Sequence, residues 1–451
     1  MSRSRSTGLY IDPMRHTRGM TLFFCIYNFL FIPLFYILVH FAALINKKIR
    51  KGLSGRLKLF QQVETALHDL PKGKRVWIHV SSMGEYEQAR PVIDLLLSRV
   101  PDSIVILTVF SPSAFDHLQI DDPRILLFYL PMDTWNNARR FINLVEPNVA
   151  IVVRHDIWPN FQWRMQKSGI PSLLIDASVS DKRYWVYRAF QWPIRTVMST
   201  FSRILTVSAN SAERFAMLYP DTSRIEVFGD TRYDRVVDRT LDMSKIQWLL
   251  DKDLFIREKT LVLGSTWPSG EKYWLPVIRQ SMKSDPQFRV ILAPHEVGAD
   301  HIRQISEELV ALEIPFVLFS ELTANSDVND FRVLVVDKIG VLANLYTCGL
   351  LAYVGGGFGP GVHNVLEPAA HGCAVLFGPR HDVSVEPQEL IDAGGGIVVN
   401  DQGTIQSIMN TFQKEPGAIQ ETGRLAREFI NNHTGASAKI AAYVETLLPQ
   451  K

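Results

Sequence analysis

The chain has 451 residues, 47% of them hydrophobic, and a net charge of +2. That apolar content suits two domains of roughly 100–200 residues each, and the near-neutral balance excludes general nucleic-acid binding through a basic face. Cys25, Cys348 and Cys373 are widely spaced, with no CxxC and no Cys/His pair at metal spacing, so they read as thiols of a reducing compartment.

Thr21 to Ile45 (TLFFCIYNFLFIPLFYILVHFAALI) holds no Asp, Glu, Lys or Arg. As a helix this run can cross ~30 Å of hydrocarbon, with Pro33 as a kink. A cleaved signal peptide would have an apolar core of about 7–15 residues before a small-residue cleavage site. Here the run is longer and ends in Lys47, Lys48, Arg50 and Lys51. Residues 1–46 are therefore expected to be an uncleaved anchor outside the catalytic fold. Asn28 and His40 leave two arrangements open, a span or a segment lodged in one leaflet. Arg3, Arg5, Arg15 and Arg18 precede the run, so the positive charge on its two flanks nearly balances.

Strand and helix patterns then alternate. Val76–Val80, Ile104–Thr108, Ile125–Leu130, Val149–Val153, Ser172–Ala177 and Ile204–Val207 are short apolar runs, each followed by a plausible helix. A second series follows at Leu261–Gly264, Val290–Leu292, Val333–Val336, Leu351–Val354, Ala374–Phe377 and Ile397–Val399. Such alternation predicts right-handed βαβ units and parallel sheets. The expected division is 47–235 and 236–451, two open α/β domains with a ligand cleft at the carboxyl ends of their strands. Ile419 to Leu448 reads as helix that packs back toward the first domain.

The strand ends carry the chemistry. Ser81-Ser82-Met83-Gly84-Glu85 follows the first strand and puts Glu85 in the first turn of a helix, as a proton acceptor or as a partner of the helix dipole. Arg154-His155-Asp156 leaves the fourth strand with a cation, an imidazole and a carboxylate together. Arg232, in Gly229-Asp230-Thr231-Arg232-Tyr233-Asp234, suits a phosphate or a carboxylate. Pro294-His295, Asp337 to Leu342 and Arg380-His381 occupy the same kind of position in the second half. The segment from Val354 to Pro368 (VGGGFGPGVHNVLEP) is the most informative. A strand breaks into glycines that let backbone N–H groups approach a ligand, and a helix is expected from Asn364. This makes a cradle for a nucleotide phosphate, with Asn364 and Glu367 one turn apart.

SSMGE at 81–85, DIWPN at 156–160, GDTRYD at 229–234, GST at 264–266 and GVHNVLEP at 361–368 resemble, in the same order, the Kdo (3-deoxy-D-manno-octulosonic acid) transferases of lipopolysaccharide synthesis. The resemblance runs from the basic segment after the anchor to near the C-terminus. It implies an α/β GT-B glycosyltransferase, two Rossmann-like domains facing across a cleft, held at the inner membrane with the catalytic body in the cytoplasm. It also implies CMP-Kdo as donor, a lipid A precursor (lipid IVA) as acceptor, inversion at the anomeric carbon, and no metal or other cofactor.

Position by position, the resemblance makes Glu85 the catalytic base. Asp156 matches the second acid of a TETELWPN-like motif, and Arg232 stands where the family has a lysine. Pro294, His295, Ile339, Gly340, Val341, Asn364, Val365, Leu366 and Glu367 match the contacts to CMP. His295 replaces an arginine, Val341 a glutamate, Arg154 the first glutamate of the TETE-like element, and Val362 a glycine. Another membrane-associated GT-B transferase and a non-catalytic nucleotide or glycan binder remain the alternative readings.

Overall fold

A computed structural model describes residues 18–449, apart from 69, 71, 72, 180–183, 186, 187, 189, 220, 253, 324, 325 and 327–329. Two compact units emerge: Met1–Asp234 with Gly435–Lys451, and Arg235–Thr434. The change of unit falls inside the helix Thr231–Leu241.

The first unit is built on seven parallel strands: β1 (Lys74–Val80), β2 (Ser103–Val109), β3 (Ile125–Tyr129), β4 (Val149–Val153), β5 (Ser172–Ala177), β6 (Arg203–Thr206) and β7 (Ile225–Val227). Their order is β3-β2-β1-β4-β5-β6-β7, so the direction of winding reverses between β1 and β4. Helices cover both faces, which is why the strands read as unbroken apolar runs. Val76, Ile78 and Val80 enter one core with Val105 and Leu107, while Trp77 enters another with Ile106 and Ala150. Alternate side chains of one strand thus feed opposite layers.

The second unit repeats the plan with β8 (Thr260–Thr266), β9 (Arg289–Pro294), β10 (Phe316–Leu318), β11 (Val333–Val335), β12 (Leu351–Val354), β13 (Ala374–Phe377) and β14 (Gly396–Val398). Their order, β10-β11-β9-β8-β12-β13-β14, reverses between β8 and β12. Every strand expected from the sequence is present. The two that were not expected, β7 and β10, are three-residue strands at sheet edges. β7 is interrupted by Glu226, and β10 is apolar but only three residues long and directly follows Pro315.

The stretch Ile419 to Leu448 is helical, and its last part returns to the first unit, as expected. It is split by Gly435, at φ 101°, into Pro416–His433 and Ala436–Leu447. The latter packs in the first unit, where Ile440 and Val444 join the core of Ile93 and Leu97. Asp234 fixes its start by accepting from the N–H groups of Gly435 (2.5 Å) and Ser437 (2.7 Å).

One expectation is corrected: the apolar N-terminal segment is not separate from the fold. It runs as helix Arg18–Ile26, a π-turn Tyr27–Phe31, and helix Ile32–Ile45. The wide turn falls just ahead of Pro33, whose missing N–H removes a helical bond. Tyr27 and Ile32 are buried against Trp163 of the first unit, with Phe23, Phe24 and Tyr36 alongside.

Candidate functional site

In the first unit, the ends of β1 and β4 lie side by side, because His79 pairs with Val152 across the two strands. Adjacent parallel strands whose connections depart in opposite directions leave an open crevice at their carboxyl ends. Glu85 and Asp156 are both delivered to this switch point. Ser82 caps the helix Met83–Arg99, and Glu85 occupies its first turn. The carboxylate turns back, its Oε2 accepting from Ser81 N (2.5 Å) and Ser81 Oγ (2.6 Å). Glu85 therefore serves the helix terminus in this state, with Oε1 as its other basic atom.

Asp156 is half-buried, and its Oδ2 meets His79 Nε2 at 2.9 Å. A carboxylate only accepts, so Nε2 carries the proton. On the other side, His79 Nδ1 lies 3.0 Å from Thr108 Oγ1, which itself accepts from Trp77 Nε1 at 2.8 Å. A chain of side chains from the core thus fixes the rotamer of Asp156. His79 is 2% exposed, and sequence reasoning did not single it out. The available signal was one imidazole inside the otherwise apolar run Val76–Val80.

Arg232 lies two residues beyond Asp230 and pairs with it closely, Nη2 to Oδ2 at 2.6 Å and Nε to Oδ2 at 2.9 Å. Beneath this pair is Asp176, which accepts from Thr231 N (2.9 Å) and Thr231 Oγ1 (2.6 Å). Burial and the charge of Asp230 push the Asp176 carboxyl up to about 7, against the pull of Thr231 and Arg154. Asp176 went unnoticed because it lies inside an apolar strand.

The backbone is strained where these strands end. Arg154 (φ 63°), Asp176 (φ 50°) and Ser265 (φ 52°) are all left-handed non-glycine residues at or near the ends of β4, β5 and β8. Such conformations cost about 1–3 kcal/mol each and persist where surrounding structure imposes them. Register shifts in β5 and β8 accompany two of them.

In the second unit, the residues expected to hold CMP separate into three groups. Pro294 and His295 end β9, and His295 N donates to Thr266 O at 2.9 Å. The exposed His295 ring stacks on His363, with centroids 4.1 Å apart and planes at 9°. Trp267 lies beside both rings, its centroid 5.0 Å from that of His295 and 6.2 Å from that of His363, and donates from Nε1 to His363 Nε2 at 2.8 Å. Burial, and then the neighbouring His295, lower the His363 pKa below the usual imidazole value. His363 is thus held neutral at neutral pH, as an acceptor for Trp267.

Ile339, Gly340 and Val341 form the second group. Ile339 is 82% exposed, Gly340 takes φ 87°, and Val341 is buried. The third group departs from expectation. The helix begins at Leu366, not Asn364, and ends at Ala370. Five residues give little aligned dipole, so an anion here would depend on the backbone of the glycine turn. Asn364 is exposed and precedes the helix, its Oδ1 accepting from Leu366 N at 3.1 Å. Val365 and Leu366 are buried. Glu367 pairs with Arg239 Nη1 at 2.9 Å, a partner the sequence did not suggest.

The glycine turn is itself tightly packed. Gly356 has φ 94°, and a Cβ there would collide with the carbonyl of Gly361; one on Gly355 would strike the carbonyl of Ser265. Part of the glycine requirement is therefore backbone packing, and a bulky residue at 356 would damage the fold before it reported on a ligand.

The family model described as 3-deoxy-D-manno-octulosonic-acid transferase (kdotransferase) matches residues 51–235, ending where the first unit gives way to the second. A 3-deoxy-D-manno-octulosonic acid transferase of Chlamydia pneumoniae is 25% identical over 398 residues, 86% of this chain and 88% of that protein. A bifunctional glycosyltransferase/methyltransferase of Fusobacterium nucleatum is 22% identical over 386 residues, 84% of this chain; the match spans 59% of that protein's length. Among solved structures, the UDP-GlcNAc 2-epimerase of Neisseria meningitidis bound to UDP-GlcNAc superposes with a TM-score of 0.59 at 14% identity. It covers 83% of this chain and 99% of its own, a likeness of fold alone. Two doubly wound sheets, the motif order and these relatives agree: the chain is a glycosyltransferase of the GT-B type that resembles the Kdo transferase family.

Proposed function

We propose that the chain transfers Kdo from CMP-Kdo to a lipid A precursor, with inversion, while attached to the cytoplasmic face of the inner membrane. The observation that carries this reading is the delivery of Glu85 and Asp156 to one switch point, each in the motif where the resemblance implies catalysis. Glu85 takes the proton of an acceptor hydroxyl as that oxygen bonds to the anomeric carbon of Kdo. The carbon–oxygen bond to the phosphate breaks, and CMP leaves with the electron pair. Asp156, held by His79, stabilises positive charge developing on the sugar. Arg232 neutralises the leaving phosphate or the Kdo carboxylate, which requires it to exchange Asp230 for the substrate.

The second unit holds the nucleotide in this reading. Glu367, fixed by Arg239, accepts from ribose hydroxyls, while the glycine turn and the ring stack of Trp267, His295 and His363 border the phosphate. Glu367→Ala should weaken CMP binding by ~1–3 kcal/mol, the range for hydrogen bonds to charged groups. Isothermal titration with CMP measures it directly. Parent-like affinity would move the nucleotide elsewhere.

Mass spectrometry of the products formed from CMP-Kdo and lipid IVA tests the whole reaction. The expected product is the acceptor with at least one added Kdo, formed equally well in excess EDTA. No transfer from CMP-Kdo, or loss with chelator that magnesium restores, would overturn the donor or the metal-free mechanism respectively.

A further inference from the structure

The apolar segment Thr21–Ile45 is long enough to span a bilayer, yet it makes contacts that a spanning helix does not make. One face is joined to the catalytic unit over much of its length. Phe23 and Phe24 pack on Trp163, with ring centroids 5.6 and 5.2 Å away, and Phe24 also meets Trp135 at 5.2 Å. Tyr27 donates to the buried Asp133 at 2.7 Å. Asn28 and Asn160 exchange amide hydrogen bonds of 3.0 and 2.9 Å. Further along, Phe35 meets Trp158 at 6.5 Å, and Tyr36 packs against the cluster that holds Trp163.

From Phe23 to Tyr36 this seam covers ~20 Å of helix. A transmembrane orientation would carry the surface that bears Asp133 and Asn160 into hydrocarbon along with it, where such groups are costly. The opposite face is apolar and open. Ile26, Phe29, Leu30, Leu34, Leu38 and Phe41 are all exposed, at helical spacing, and Phe29 is 78% so. Beside it Trp192, which packs on Phe23, and Phe190 are also exposed.

We propose that this segment lies in the plane of one leaflet as a monotopic element, clipped to the catalytic unit by Tyr27 and Asn28, its open face in the acyl chains of an anionic membrane. The proposal rests on the membrane attachment put forward above and adds its geometry. Charge supports a lipid surface as the occupant. No Asp or Glu occurs between Asp12 and Glu64, whereas Arg15, Arg18, Lys47, Lys48, Arg50 and Lys51 flank the apolar run. Basic residues at both ends oppose a span, since one group would have to cross. In the plane of the leaflet, both groups remain at the same anionic surface. His40 is no obstacle, as its Nδ1 lies 2.8 Å from Tyr36 O.

The placement also serves the reaction. Asn160 and Trp158 belong to the same segment as Asp156, and Asp133 accepts from the N–H groups of Asn160 and Phe161. A helix in the headgroup layer that grips this segment holds the Asp156 end of the site at the bilayer surface, where the sugar of a lipid acceptor is found.

Topology decides the matter. In the full-length chain with Cys25→Ser, the remaining Cys348 and Cys373 are buried. Ser4→Cys and Lys58→Cys are each introduced, and sealed inside-out membrane vesicles from an expressing bacterium are treated with a membrane-impermeant maleimide. Both positions are expected to react before the vesicles are opened. Reaction of Ser4→Cys only after permeabilisation would place the ends on opposite sides and overturn the proposal. A second reading uses nitroxide labels at native Cys25 and at Leu34→Cys (in Cys25→Ser). An in-plane helix puts both at one depth, ~5–10 Å below the surface; a span puts residue 34 deeper by up to ~13 Å. A chain found only in the soluble fraction would sink membrane attachment itself, a result distinct from either topology.

Discussion

Glu85→Gln should lower the rate of sugar transfer by about 100-fold or more, the usual scale for removing a positioned general base. The substitution keeps the volume of the side chain and its oxygen, so the bonds from Ser81 to the carboxylate can be retained by the amide carbonyl. What it removes is proton acceptance. CMP affinity should stay within a few-fold, because the residues proposed to bind the nucleotide belong to the other unit. Turnover close to the parent would reduce Glu85 to the role it shows in the resting geometry, a carboxylate that satisfies the start of a helix. A matching loss of thermal stability would point the same way; an inactive enzyme of unchanged melting temperature separates the base from the cap.

Asp156→Asn should cost a similar factor, about 100- to 1,000-fold in kcat, by removing a fixed negative charge from the site of developing positive charge. The change is nearly isosteric, and His79 can still donate to the amide oxygen, so the fold should survive. His79→Ala addresses the support and not the charge. If His79 acts only by orienting Asp156, the double variant should be scarcely worse than Asp156→Asn alone, whereas independent roles would multiply. Steady-state kinetics of the four proteins close the cycle. A parent-like kcat for Asp156→Asn would remove Asp156 from the chemistry.

Legibility differed by position, for physical reasons. The twelve apolar runs named from the sequence became strands because strands buried on both faces are apolar along most of their length. Glu85 and Asp156 were visible because each follows such a run within a few residues, and Arg232 because it sits in a charged motif between the two series of runs. The same logic hid His79 and Asp176. Both sit inside strands, and their meaning comes from partners distant in sequence: Asp156 lies 77 residues from His79, and Thr231 lies 55 from Asp176. The glycine turn was legible as a turn. Its register was not, since the helix starts at Leu366 and Asn364 is left outside it.

By itself the sequence determined that this protein is a pair of parallel α/β domains, where their strand ends place ionisable groups, and that an apolar segment precedes them. Those properties follow from short-range chemistry: the apolar period, turn residues and the abrupt onset of charge. Tertiary structure alone decided how the final helix is held on the first unit, where Asp234 caps it, and that Glu367 takes Arg239 as its partner. It also decided that the apolar N-terminal helix lies against the catalytic unit, because the hydroxyl of Tyr27 and the amide of Asn28 find buried acceptors more than a hundred residues away. Composition measures how readily a segment leaves water. Which surface receives it depends on polar partners that only the folded chain brings together.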